Sequence, residues 1–509
     1  MENRTTHVIR NLNMSAIYQV VNIIIKFVLR TIFIKYLGKE YLGLNGVFSN
    51  ILTVLSLSEL GLGTAIVYDM YKPIHDKDNT RIAQLFKFYK YMYAVIGAFI
   101  LGVGMLLIPA LKYIITDIEG VSNIYLIYIL QLVTTAASYF FAQYRSLIDA
   151  NQLNELNTKN NIIFNILKTI FQAIALIVFQ NYILYLLTDL IVQVLSNYSI
   201  SRKCKKMFPY IKTKVENISF NYIKKLLRNA SSMFSIKIGS TVLTATDNLI
   251  ISSMISTVLT GIYSNYTMIT SVITASTMLI STALQASVGN LCVASDKEKK
   301  IEVFEKIRFL YSSIYAMIFV CFFILGNDFI TIWIGKDYLL SPLTVFFIIL
   351  NCYLTGVRQP IEIYIYADGL FNRFKIKPWI EAGINLIVSL ILVNYWGIIG
   401  VLVGTTISHI TTTLWYDAYV VYKYSLKEKL STFFKKYFDY FLTTLLIMGI
   451  SYIATGFIRL SNIYVSFIIK AIVCLGIFIF LWYIRYNKAQ QLIYYKNLVL
   501  RKLKKCKLV

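Results

Sequence analysis

Long apolar windows, each closed by a short charged interruption, recur along almost all of the 509-residue chain. A helix of about twenty apolar residues crosses a ~30 Å hydrocarbon core. On that measure spans are predicted near 12–36, 43–70, 86–111, 122–144, 160–180, 182–201, 229–254, 258–290, 309–334, 341–357, 378–395, 397–422, 437–457 and 461–484. The short alternating segments of a transmembrane barrel are not found. The expected class is all-α integral membrane, with about 14 transmembrane helices.

Basic residues orient these spans, because Lys and Arg in short flanking loops are retained on the cytoplasmic side. With the N-terminus inside, five of the 50 fall in external loops (Lys35, Lys39, Lys112, Lys336, Arg459), five lie within spans (Lys26, Arg30, Lys168, Lys237, Lys470), and the other 40 are cytoplasmic. A miscounted span would invert every later loop and erase this asymmetry. Both termini are therefore expected in the cytoplasm. The start, Met1-Glu2-Asn3-Arg4 before an apolar stretch without a small-residue cleavage site, reads as a retained first span and not as a signal peptide.

Matching landmarks recur in the same order in two parts of the chain. Gly46-Val47-Phe48-Ser49-Asn50 and Gly261-Ile262-Tyr263-Ser264-Asn265 are offset by 215, Ala150-Asn151-Gln152-Leu153 and Ala367-Asp368-Gly369-Leu370 by 217, and Asn181-Tyr182 and Asn394-Tyr395 by 213. Three weak matches in register predict two pseudo-symmetric six-helix lobes, 1–201 and 229–422. A basic amphipathic linker at 202–228 would join them, two further helices would occupy 423–484, and a basic cytoplasmic tail 485–509. An even number of helices gives parallel repeats, which suit alternating access.

Polar and charged residues inside spans are costly in lipid and normally face water or a partner. On the first span Asn11, Ser15, Tyr18, Gln19, Asn22, Lys26 and Arg30 fall within about 120° of helix surface. The seventh gathers Lys237, Ser240, Thr244, Asp247 and Asn248; the fifth Asn161, Asn165, Lys168 and Gln172; the eleventh Glu381, Asn385 and Ser389. One reading is a hydrophilic cavity between the lobes, made cationic by Lys26, Arg30, Lys168 and Lys237 and suited to a pyrophosphate headgroup. The other is internal ion pairing, or snorkelling of Arg30 to the interface. Asp247, Glu59 and Glu381 are candidates for coupling to a driving ion. Gly397, Gly400 and Gly404 on the twelfth span are expected to allow close helix packing.

Composition agrees with this picture. Hydrophobic residues are 57% and charged residues 15%, against roughly 45–50% and 25% in soluble domains. The net charge of +25 is what inner-leaflet contact requires and does not imply nucleic acid. Six scattered cysteines and three histidines give no expectation of a disulfide framework, a metal or another cofactor.

The segment Glu40-Tyr41-Leu42-Gly43-Leu44-Asn45-Gly46-Val47-Phe48-Ser49-Asn50, followed by Leu55-Ser56-Leu57-Ser58-Glu59-Leu60-Gly61-Leu62-Gly63-Thr64-Ala65-Ile66, resembles bacterial polysaccharide-repeat-unit flippases of the Wzx type, within the multidrug, oligosaccharidyl-lipid and polysaccharide exporter superfamily. The resemblance implies a two-lobed MATE-like fold in the bacterial inner membrane. It implies an undecaprenyl-pyrophosphate-linked oligosaccharide as cargo, moved from the inner to the outer leaflet for surface polysaccharides such as O-antigen, lipopolysaccharide or capsule. Lipid-carrier flippases of this kind use cavity cations, including on the first helix, where Lys26 and Arg30 hold a comparable place; sodium or proton coupling is also implied. A cation-coupled multidrug antiporter of the same superfamily is the nearest alternative, although it would favour an acidic cavity and twelve spans. A membrane polymerase or ligase would need a catalytic cluster in a large external loop, and no enzyme activity is expected from loops this short. No G-x-x-x-x-G-K-[ST] phosphate loop occurs that would make ATP the direct drive.

Overall fold

A computed structural model describes residues 4–59, 62–116, 121–218, 222, 245–294, 296–374, 376–458 and 460–506. Helices dominate and no strand occurs among the described residues. The main ones are α1 (Arg4–Leu55), α2 (Leu62–His75), α3 (Asn79–Leu106), α4 (Ile124–Tyr139), α5 (Ala142–Ala150), α6 (Asn154–Ile177), α7 (Tyr182–Met207), α8 (Thr257–Ala294), α9 (Lys297–Ile334), α10 (Pro342–Ala367), α11 (Lys377–Trp396), α12 (Ile398–Ser408), α13 (Leu430–Gly456), α14 (Ile463–Tyr486) and α15 (Gln490–Cys506). Eleven described stretches are long and apolar enough to cross a bilayer, so the chain is a multi-pass membrane protein.

Local backbone geometry joins and divides the predicted spans. The first and second are joined in α1, which is interrupted at Gly38 by φ 82°, ψ −172°. A glycine adopts that backbone without the Cβ penalty other residues incur. The second span, expected as one helix over 43–70, is divided: α1 ends at Leu55, a 3₁₀ turn covers Ser56–Glu59, and α2 begins at Leu62. The tenth is α10, 26 residues and so roughly 39 Å long, with Pro342 in its first turn. Of the seventh, 229–254, residues 229–244 lie outside the described residues.

Span ends carry their own caps, as they must where water is scarce. Asn181 Oδ1 accepts from the Leu184 amide at the start of α7 (3.0 Å), Ser341 Oγ from the Thr344 amide at α10 (3.2 Å), and Asn462 Oδ1 from the Tyr464 amide at α14 (2.9 Å).

The chain divides into two compact units, 1–264 and 265–509. In the first, α1 packs along α6, and α4 packs along α3 and α7. The second leg of α1 also meets the start of α8, where a Cβ on Gly43 would lie 2.2 Å from the Thr257 carbonyl oxygen and one on Gly261 2.7 Å from the Gly43 nitrogen. In the second unit α9 is the central post, packed by α10, α13 and α14, while α11 and α12 form a tight pair. That pair depends on glycine as expected: a Cβ on Gly400 would lie 2.2 Å from the Leu392 carbonyl oxygen, and one on Gly404 2.2 Å from Ser389 Oγ.

The cysteines are less scattered than the sequence suggests. Cys321 and Cys474 bring their sulfurs to 3.8 Å across α9 and α14, as free thiols.

Candidate functional site

In the first unit, α1 sorts its side chains by face. Ile17, Val20, Ile24 and Val28, at helical spacing, are exposed on one side, as lipid-facing residues should be. Tyr18, Gln19, Asn22, Lys26 and Arg30 lie on the opposite side. Lys26 is exposed there and the other four are half-buried, so this polar face opens on accessible space away from the apolar stripe. Arg30 Nη1 donates to Ser264 Oγ at 3.2 Å and pairs with no carboxylate among the described residues. Tyr182 and Tyr185 stand close enough to feel its charge. Phe33 packs edge-on against both rings, at centroid distances of 5.4 and 5.6 Å. Tyr182 is itself held by Gln131 Nε2 (3.0 Å) and donates to Asn45 Oδ1 (3.1 Å), which fixes the floor beneath the guanidinium.

The fifth span, α6, is sorted the same way. Ile163, Ile166, Leu167, Ile170 and Ile174 are exposed, while Asn161, Asn165, Lys168 and Gln172 occupy the other side. Asn165 Nδ2 donates to Tyr18 Oη at 3.3 Å, so the two polar stripes meet. Gln172 is buried. Lys168 Nζ lies 3.1 Å from Asp189 Oδ1 of α7, an ion pair that neutralises one of the four cations expected to line the cavity. Asn161 accepts from Arg145 Nη1 at 2.8 Å. Arg145 also donates to Ser196 Oγ (3.1 Å) and Asn197 Oδ1 (3.2 Å), a polar knot of α5, α6 and α7 that sequence reasoning missed.

In the second unit a larger charged cluster is enclosed. Asp417 is fully buried, and its Oδ2 accepts from Arg358 Nε at 2.6 Å and Lys377 Nζ at 3.1 Å. Lys377 also lies 3.3 Å from Glu381 Oε2. The other oxygen of Glu381 faces His409 Nδ1 at 3.0 Å and accepts from Thr413 Oγ1 at 2.5 Å. Arg358 pairs in turn with Glu362 at 3.0 Å. Each ion is thus matched by an opposite charge, which is the condition for burying any of them. His409 and Thr413 belong to a π-helical turn, His409–Thr413, that continues α12. Such turns are frequent at functional positions. A small cleft beside it is lined by Arg358, His409, Thr413, Phe433 and Tyr437.

Glu381 was legible as an acidic residue within a span, but the rest of its cluster was not singled out: Asp417 carries the same signal within 397–422, whereas Arg358 and Lys377 fall one residue outside the predicted spans 341–357 and 378–395. Asn385 is fully buried and donates to Thr405 Oγ1 at 2.9 Å, serving the α11–α12 contact. Asp247 is buried in the helical stretch 245–254 that precedes α8, and Glu59 is half-buried in the 3₁₀ turn. Lys237, Ser240 and Thr244 lie outside the described residues.

The sequence model of a family described as polysaccharide biosynthesis protein matches residues 8–287. No curated protein matches the chain. Among solved structures, the fold is similar to lipid II flippase MurJ in an inward closed conformation, with TM-score 0.69 at 17% identity over 94% of this chain and 99% of that one. It is also similar to an inward-facing multidrug resistance MATE family transporter of the MOP superfamily (TM-score 0.59, 14% identity, 78% and 93% covered). A Vibrio cholerae MATE transporter, VcmN, gives TM-score 0.57 at 13% identity, with 84% and 98% covered. At these identities the likeness concerns fold.

Proposed function

Because the chain belongs to the polysaccharide biosynthesis protein family, we propose that it is a flippase moving undecaprenyl-pyrophosphate-linked oligosaccharide repeat units from the inner to the outer leaflet of a bacterial cytoplasmic membrane. The observation that carries this reading is the polar face of α1, where Lys26 is exposed opposite the lipid-facing stripe and Arg30, among the described residues, has only a neutral partner, Ser264. A cation held in a membrane span without a counter-charge is costly. It is retained where an anionic ligand supplies that charge. A pyrophosphate fits: guanidinium and ammonium donors replace the water it must shed to enter a low-dielectric site, while the polyprenyl tail stays among the acyl chains.

In this reading Lys26 and Arg30 contact the phosphates, with Lys237 as a third cation. Tyr18, Gln19, Asn22, Asn161 and Asn165 offer hydrogen bonds to sugar hydroxyls. Lys168 serves through its pair with Asp189. The lobes 1–201 and 229–422 alternate access, both termini face the cytoplasm, and counterflow of sodium ions or protons drives the cycle through Glu381, with Asp247 and Glu59 as further candidates. The cargo places the protein in synthesis of a surface polysaccharide.

Deleting the gene in its own host tests the reading. Lipid-linked oligosaccharide should accumulate on the cytoplasmic leaflet, and Lys26→Ala/Arg30→Ala should fail to clear it while reaching wild-type membrane abundance. Export at the wild-type rate by that double variant would remove both residues from the mechanism. Normal polysaccharide export with lost drug efflux would favour a multidrug antiporter, to which the MATE-like fold also belongs.

A further inference from the structure

The C-terminal helix α15 is not long and apolar enough to span, and the cargo reading gives it no task. It begins three residues after α14 ends, across Asn487, Lys488 and Ala489. Since α14 crosses the membrane, a linker of that length leaves α15 at the headgroup layer. One side of the helix is fastened to the protein. Tyr495 Oη donates to the Lys306 carbonyl of α9 at 3.1 Å, and Lys306 Nζ sits 4.0 Å from the Tyr494 ring centroid.

Among its described side chains, those that face outward carry two chemistries. Ile493 and Leu500, seven residues apart and so on one side, are 45% and 46% exposed, and Leu498 is 37% exposed. Five residues of the helix are basic (Lys496, Arg501, Lys502, Lys504, Lys505) and none is acidic. Apolar residues left in water would be a liability, and five cations on one helix would repel one another. A helix with an apolar edge and a basic excess, set at the end of a span, matches the composition of an in-plane interfacial helix.

We propose that α15 is an interfacial helix that binds anionic lipid headgroups, with Ile493 and Leu500 entering the acyl boundary and the basic residues contacting phosphates, so that the lipid clamps α15 onto Lys306 of α9. The occupant is the bilayer because it is already in place beside the end of α14 and supplies both the apolar layer and the negative charge the helix lacks. Attraction of each basic residue to an anionic surface strengthens binding about fivefold. The inference is independent of which cargo the protein carries.

The experiment uses the full-length protein in nanodiscs of phosphatidylcholine, and of phosphatidylcholine with phosphatidylglycerol at roughly the fraction that gives a physiological surface potential. Amide hydrogen exchange is followed over 490–506. Exchange should be at least about tenfold slower in the anionic discs. That difference should collapse at ~1 M salt, where the screening length is about 3 Å, and in the variant carrying Lys496→Gln, Arg501→Gln, Lys502→Gln, Lys504→Gln and Lys505→Gln. Ile493→Asp should raise exchange in both discs. Equal protection in the two discs, or an anionic effect that survives both salt and the five substitutions, overturns the proposal. So does a helix unprotected in either disc, which would leave this face to a protein partner.

Discussion

Replacing Lys377 by Met probes whether the enclosed cluster of the second unit is held by charge balance. Apart from His409, two cations (Arg358, Lys377) face three carboxylates (Asp417, Glu381, Glu362) within linked contacts of 2.6 to 3.3 Å. Lys377→Met keeps the volume of the side chain but, among the described residues, leaves Asp417, fully buried, with Arg358, and Glu381 with His409 and Thr413. Removing one partner from a buried ionic group costs about 3–5 kcal/mol. For a unit of this size each kcal/mol shifts the unfolding midpoint by roughly 2–4 °C, so a fall of roughly 6–20 °C is expected. Asp417→Asn alone should cost less, because Lys377 keeps Glu381 and Arg358 keeps Glu362. The double variant Lys377→Met/Asp417→Asn restores the original formal charge and should recover about 1–3 kcal/mol relative to the sum of the single changes. Thermal unfolding of the purified protein, read by tryptophan fluorescence, closes the cycle. A Lys377→Met protein within a degree of wild type, or a strictly additive double variant, would refute charge balance as the organising force.

Other expectations follow from the same contacts. Gly43→Ala places a methyl 2.2 Å from the Thr257 carbonyl oxygen, where only backbone could yield; it should cost about 1–3 kcal/mol, whereas Gly289→Ala, with no described residue within 4 Å of the added methyl, should leave the midpoint nearly unchanged. If Lys168 acts only through Asp189, Lys168→Met should impair export and Lys168→Met/Asp189→Asn should restore it in a cell-based polysaccharide assay; a double variant that is inactive at normal abundance would assign Lys168 to the cargo. Glu428, between α12's continuation and α13, lies 2.8 Å from Lys297 Nζ at the start of α9, which holds its carboxyl below its ordinary value of 4.5. A depressed folded value means the pair contributes fully above the ordinary carboxyl range and loses its contribution as pH falls through the folded value. The midpoint difference between wild type and Lys297→Gln should therefore be present at neutral pH and vanish in acid, and a difference that persists in acid would exclude the pair as its source.

The membrane class was determined by the chain alone, since the cost of exposing helical backbone to lipid leaves a long apolar window few alternatives. The polar stripe of α1 was legible for a related reason: helical periodicity is local, and Tyr18, Gln19, Asn22, Lys26 and Arg30 share a face whatever surrounds them. The tight α11–α12 contact was readable from Gly400 and Gly404, because only a missing Cβ permits that approach. What periodicity could not say was which neighbour each polar side chain would meet. Lys26, Lys168 and Glu381 look alike in sequence, as ionised groups in apolar windows, yet one is exposed, one is paired with Asp189 on the next span, and one is enclosed by Lys377, His409 and Thr413. The same holds for the second span, whose hydropathy is continuous through the 3₁₀ turn at Ser56–Glu59 that divides it. Burial of a charge is a pairwise quantity decided at distances of a few ångströms by residues far apart in the chain, so its sign emerges only when the helices are packed.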